Sequence, residues 1–98
     1  MTTPAEGRPR RQMTAVTIYT TETCVFCLRA KDYLRSKGVS YQEVDVTDDD
    51  LARADLVKRS NGQRSVPQIF VGDVHVGGYT DLVRLDAEGE FRPLLSRA

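Results

Sequence analysis

The chain begins its folded pattern with a strand, a helix and a second strand, and that order limits the available folds more than any other feature. Ala15-Val16-Thr17-Ile18-Tyr19 is short, β-branched and aromatic, the composition of a buried strand. From Val25 to Lys37, Cys27, Ala30 and Leu34 recur at helical spacing, and Gly38 follows where a helix end favours positive φ. Val39 to Val46 reads as the second strand. Two strands joined by a helix lie parallel, with a right-handed crossover. Thr47-Asp48-Asp49-Asp50 supplies caps for a second helix, whose apolar face is Leu51, Ala54 and Val57 and which breaks at Asn61-Gly62. Gln68 to Val71 and Val74 to Val76, joined by Gly72-Asp73, form a hairpin. Gly77-Gly78 ends it. Thr80 or Asp81 then caps a third helix carrying Leu82, Val83 and Leu85, and Phe91 to Leu95 adds one short turn. The predicted fold is α/β: a four-stranded mixed sheet flanked by three helices, in the order βαβαββα, with helices on both faces.

A chain of 98 residues makes one domain. Its 14 Lys and Arg balance 14 Asp and Glu, which argues against nucleic-acid or membrane-surface partners, since both demand a basic excess. No apolar run approaches the ~20 residues of a membrane span. Two cysteines are too few for a disulfide-stapled scaffold, and with one histidine they are too few for most single-chain zinc sites. Residues 1–13 are expected to form a disordered tail, because residues 1–12 carry prolines, a glycine and arginines but no large apolar side chain beyond Met1. No apolar stretch follows Arg10 and Arg11, as a secretory signal would need, so a cytoplasmic location is expected. Residues 14–98 form the domain.

The chemistry of the chain centres on Cys24-Val25-Phe26-Cys27, at the junction of the first strand and first helix. At a helix start, free amides and the helix dipole favour a thiolate at Cys24, the form that attacks disulfides. Cys27 lies one turn on along the same face, close enough to form a disulfide with Cys24 and less exposed. Cys24 is thus the attacking thiol and Cys27 the resolving one. The bland alternatives are two unrelated buried cysteines or half of a metal site. Two further segments stand out. Pro67, in Ser65-Val66-Pro67-Gln68, cannot donate a ladder hydrogen bond and belongs at a strand start. In Gly77-Gly78-Tyr79-Thr80-Asp81, amides opening a helix suit a carboxylate and Asp81 suits an ammonium, together the end of an amino-acid-like ligand. Alone, this stretch is equally a glycine turn and a helix cap. His75, between two valines of a short edge strand, reads as a half-exposed surface residue and is not placed beside Cys24.

Four stretches in order, I-Y-T-T-E-T-C-V-F-C, S-K-G-V-S, S-V-P-Q-I-F and G-G-Y-T-D-L, resemble the small bacterial dithiol glutaredoxins from about Thr14 to the C-terminus. The resemblance implies a thioredoxin-like fold with Pro67 in cis. It implies glutathione as co-substrate, with disulfide-bearing or glutathionylated proteins as partners, no tightly bound cofactor, and a monomer. It carries Cys24 over as nucleophile, the Val66 backbone as hydrogen-bonding partner of the glutathione cysteine, Thr80 and Asp81 as holders of the γ-glutamyl end, and Phe26 as groove wall. Gln63 and Arg64, in the loop before the proline, are the expected contacts to the glycine end. Family members usually have Pro-Tyr between the cysteines, where this chain has Val25-Phe26, and often a lysine where it has Thr21. Arg29, Lys58 or Arg64 would have to supply that positive charge. The alternatives are a redoxin served by a thioredoxin-type reductase, and a carrier that shares a [2Fe–2S] cluster between two copies, each giving Cys24 and each with a glutathione.

Overall fold

The computed structural model describes residues 12–97, so the expected tail at 1–11 lies outside the described residues. Strands β1 (Val16–Thr20), β2 (Gln42–Asp45), β3 (Gln68–Val71) and β4 (Val74–Gly77) alternate with helices α1 (Val25–Ser36), α2 (Asp50–Arg59), α3 (Tyr79–Ala87) and the short α4 (Phe91–Leu95). The sheet order is β2-β1-β3-β4. β1 and β2 are parallel, as the intervening helix requires, while β3 runs antiparallel to both β1 and β4. The four-stranded mixed sheet matches the sequence expectation, with α4 as the added turn.

Side-chain alternation sends the two faces of the sheet to different cores. Val16, Ile18, Ile69 and Val71 pack with Ala30 and Leu34 of α1, Leu82 of α3, and Phe91 and Leu95 of α4. Tyr19 and Phe70 face the other way, onto Val46 and Leu56 of α2. β3 is buried along its whole length, because both of its faces are covered.

α2 differs from expectation in the face it buries. Leu51 is 85% exposed, Ala54 is exposed and Val57 only half-buried. The side turned to the sheet is instead Ala52, Leu56 and Arg59, with the exposed Asp55 reaching the Tyr19 hydroxyl from its margin. It is partly polar because the sheet beneath it presents two aromatic rings, one of them a phenol. The Arg59 guanidinium lies 4.2 Å from the Phe70 ring centroid and 5.7 Å from that of Tyr19. It also donates to the Tyr19 hydroxyl at 2.8 Å, and that hydroxyl donates to Asp55 at 2.7 Å. Helical periodicity finds apolar residues, and here the inward positions are not all apolar.

Two boundaries also move. Gln12 and Met13, expected in the tail, are held by the fold. Gln12 is buried, its side-chain oxygen accepting from the Ser40 amide at 2.9 Å and its side-chain nitrogen donating to the Ser40 carbonyl at 2.8 Å. The Met13 amide donates to Leu95 at 2.7 Å. The Gln12 side chain thereby takes both backbone groups of Ser40, and β2 starts at Gln42 rather than Val39. Val39 is still buried in the core.

The burial pattern of α2 gives a direct test. Leu56→Ala should lower unfolding free energy by about 2–5 kcal/mol in urea, the cost of emptying a closed core site. Leu51→Ala should stay within about 0.5 kcal/mol of wild type. Comparable losses would restore the face read from the sequence.

Candidate active site

The loop from β1 to α1 is fixed at both ends before it delivers Cys24. The buried Thr20 hydroxyl donates to Glu43 of β2 at 2.6 Å, and Lys31 of α1 pairs with the same carboxylate at 3.0 Å. The Thr20 hydrogen bond, with Lys31 assisting, holds the Glu43 carboxyl below its usual range. The Glu22 amide donates to the Thr47 hydroxyl at 2.9 Å. Cys24 then serves as N-cap of α1, in extended conformation, its sulfur accepting from the Cys27 amide at 3.0 Å.

Cys27 occupies the opposite kind of environment. Only 1% of it is exposed, and its thiol is pushed up to about 12, chiefly by burial, then by its contact with Cys24. A hydrogen bond from the Thr21 backbone and the charge of Lys31 oppose the shift. Both cysteines are free thiols. The two sulfurs thus differ in access, Cys24 partly exposed and Cys27 buried behind it.

Beside Cys24 runs a groove of about 240 Å³. Its floor is the Val66-Pro67 segment, whose peptide bond is cis and whose Val66 carbonyl lies 3.7 Å from the Cys24 sulfur. Phe26, half-exposed, forms one wall and leans on Tyr79, with ring centroids 6.1 Å apart. Gln63, Thr80 and Asp81 complete its lining. α3 starts earlier than expected, with Gly78 rather than Thr80 or Asp81 as N-cap. Asp81 is the third helical residue, and its carboxylate turns back to accept from the Gly78 amide at 3.0 Å and from Arg84 at 3.1 Å. Gly77 makes room for that turn. Its φ is +115°, and a Cβ there would lie 2.4 Å from the Asp81 carboxylate.

Seven of the residues singled out from the sequence thus converge: Cys24, Phe26, Gln63, Val66, Pro67, Thr80 and Asp81. Cys27 stands behind them. Arg64 does not join. It lies beyond the groove, lining a separate depression with Asp50, Arg53 and Val57. The loop turns between the two residues, so that neighbours in sequence face different sides. Of the cations weighed as substitutes for a lysine at Thr21, Arg29 lies against the groove wall, 5.4 Å over the Phe26 ring. Sequence reasoning missed Ser65, Gln68 and Tyr79 as lining residues, although all three sit inside the motifs it quoted. Among the described residues no three His, Cys, Asp or Glu side chains gather as a metal site would need.

The glutaredoxin family profile matches residues 16–76. The chain belongs to the glutaredoxin family. Glutaredoxin 3 of Escherichia coli K12 is 51% identical over 83 residues, which cover 85% of this chain and 99% of that one. A glutaredoxin from Pseudomonas aeruginosa is 44% identical over 84 residues, 86% of this chain and 99% of its own. Among solved structures, the glutaredoxin of Brucella melitensis superposes with a TM-score of 0.75 at 41% identity, covering 90% of this chain and 95% of that one. The buckwheat glutaredoxin–glutathione complex gives 0.75 at 26%, covering 87% and 79%. The fold is therefore thioredoxin-like, and the Cys24/Cys27 pair is that of a glutaredoxin, a thiol–disulfide oxidoreductase.

The raised Cys27 thiol has a sign that can be checked. Its unfolded value is near 9.0 and its folded value about 12, so the stability it contributes is fully present below 9 and lost as pH rises through 12. Urea midpoints should fall across that window in reduced wild type and fall less steeply in Cys27→Ala. Tyr33, also raised to about 12, adds the same trend to both proteins and cancels in the comparison. Parallel slopes would show that Cys27 ionises freely in the fold.

Proposed function

We propose that this glutaredoxin is a glutathione-dependent oxidoreductase that reduces protein disulfides and glutathionylated proteins, as a monomer in the cytoplasm. The observation that carries the reading is the joint placement of one accessible sulfur and a groove that holds a carboxylate beside a helix start. Cys24 lies against Val66, and along the groove a carboxylate, Asp81, stands beside the first amides of α3. Glutathione has a matching end, where an ammonium and a carboxylate sit on one carbon. Asp81 keeps capacity for the ammonium beyond its bonds to Gly78 and Arg84, and the helix start receives the carboxylate. The buckwheat relative was solved as a glutathione complex, which supports the same ligand here.

With a glutathionylated protein, the Cys24 thiolate attacks the glutathione sulfur. The old S–S bond breaks, the protein leaves as a thiolate that takes a proton, and Cys24 holds the glutathione. The thiolate of a second glutathione then attacks that sulfur, so that glutathione disulfide leaves and the Cys24 thiolate returns. With a protein disulfide, Cys24 forms a mixed disulfide with the protein. Cys27 loses its proton, attacks the Cys24 sulfur and releases the second protein thiol, leaving a Cys24–Cys27 disulfide for two glutathiones to reduce. Once Cys24 is in a mixed disulfide, it no longer opposes ionisation of Cys27, and burial alone is left to overcome. The apolar Val25, Phe26 and Leu28, all more than half exposed around Cys24, offer a surface for the protein partner.

Cys24→Ser should abolish turnover of both substrates. Cys27→Ser should keep the reduction of a glutathionylated peptide and lose most reduction of a protein disulfide. Equal activity of the two variants on the glutathionylated peptide would overturn the assignment. Asp81→Ala should weaken the glutathione step by about ten- to a hundredfold, the value of one charged hydrogen bond, while leaving attack by dithiothreitol nearly unchanged. Full activity in a coupled assay with thioredoxin reductase, and none with glutathione and its reductase, would replace glutathione as the electron source.

A further inference from the structure

Lys31 does not line the groove, yet its side chain is only 17% exposed, which is rare for a lysine. Glu43 of β2 holds its ammonium at 3.0 Å, and Glu43 is itself fixed by the buried Thr20 hydroxyl at 2.6 Å. The ammonium therefore has a set position where α1, β1 and β2 meet. Asp45, the other carboxylate that feels Lys31, is engaged chiefly by the Thr47 hydroxyl and amide, at 2.6 and 2.9 Å. Helical side chains lean toward the helix N-terminus. The stem of Lys31 thus leads back toward the turn of α1 that carries Cys27, four residues earlier.

Distance along the helix separates the two sulfurs. Four residues put Cys27 about 6 Å from Lys31 along the axis, and seven put Cys24 about 10 Å away. The lysine charge therefore bears first on Cys27. Burial raises that thiol most, then its contact with Cys24, and the Thr21 backbone and the Lys31 charge are what oppose the rise. A buried thiol that must ionise to act needs an opposing charge of this kind. We propose that Lys31, anchored by Glu43 and Thr20, is a positioning residue for the resolving thiol: its ammonium stabilises the Cys27 thiolate as that sulfur attacks Cys24, and it takes no part in the first attack by Cys24. This rests on Cys27 as the resolving thiol. In the step, the Cys27 proton goes to solvent and a Cys27–Cys24 bond forms. The bond from Cys24 to its partner breaks, and the partner thiolate leaves with the negative charge.

The experiment mixes the reduced full chain with excess dithiobis(nitrobenzoate), an aromatic disulfide whose thiolate is coloured once released. Attack by Cys24 releases one thiolate in a phase that scales with reagent concentration. Resolution by Cys27 releases a second in a phase that does not. Lys31→Met should slow the second phase by about three- to tenfold, a roughly ten- to hundredfold loss of thiolate partly offset by the greater nucleophilicity of a more basic sulfur. The first phase should be nearly unchanged. Lys31→Gln removes the charge but keeps a donor for Glu43, and it should match Lys31→Met, which covers the case of a poorly folding methionine variant. Lys31→Arg keeps the charge and should retain most of the wild-type second phase. Equal slowing of both phases would mean that the lysine only braces the loop bearing Cys24. An equal loss in Lys31→Arg would mean that its shape matters and its charge does not. Either result would overturn the proposal, as would an unchanged second phase in both neutral variants. A wild type without a second phase would remove the resolving role of Cys27 and this inference with it, while leaving Cys24 as the attacking thiol.

Discussion

Burial of β3 on both faces is the constraint on which the site depends. The four residues from Gln68 to Val71 are covered above by α1, α3 and α4 and below by α2, and they pair on both edges. A strand so enclosed has one position. The segment entering it, Val66-Pro67, is thereby brought beside Cys24, and the strand leaving it through the hairpin delivers Gly77 and Gly78 to the start of α3. The floor and one end of the groove are consequences of where a single strand is allowed to lie. The sulfur arrives independently, on a loop tied to β2 through Thr20, Glu43, Glu22 and Thr47.

Much of this was legible in the sequence because the responsible features are local. The strand–helix–strand order fixed the parallel pair, the β-branched runs located β1 and β3, and the spacing of the cysteines put one sulfur on the cap and the other one turn inside. What escaped was set by partners distant in sequence. The inward face of α2 depends on Arg59 meeting Phe70 and Tyr19, and no helical pattern within residues 50–59 announces those rings. The residues before β2 meet a glutamine 28 positions earlier, which takes Ser40's backbone groups. Gln63 and Arg64 are adjacent and both polar, and only the path of the loop decides which one faces the groove. His75 is half-exposed as read, but its contact with Gln68 is not visible in the sequence.

The same logic explains why the glycines before α3 are not interchangeable with other small residues. The Asp81 carboxylate must fold back to its helix cap to stand at the end of the groove, and the space it folds into is the space a Gly77 side chain would fill. Backbone freedom and ligand recognition are there one requirement.

The two cores are unequal, and the imbalance has a consequence for how the molecule opens. Ten buried residues hold α1, α3 and α4 to one face of the sheet, while four, with the flat guanidinium of Arg59, hold α2 to the other. α2 is therefore the element that detaches at least cost. When it does, solvent reaches Phe70 and the buried amide of Gln68, but the helix that bears Cys24 keeps its seat. The chain can breathe on one side while its reactive sulfur stays in register, so amide exchange and proteolysis should first sense the loop from Arg59 to Ser65, not the cysteine turn.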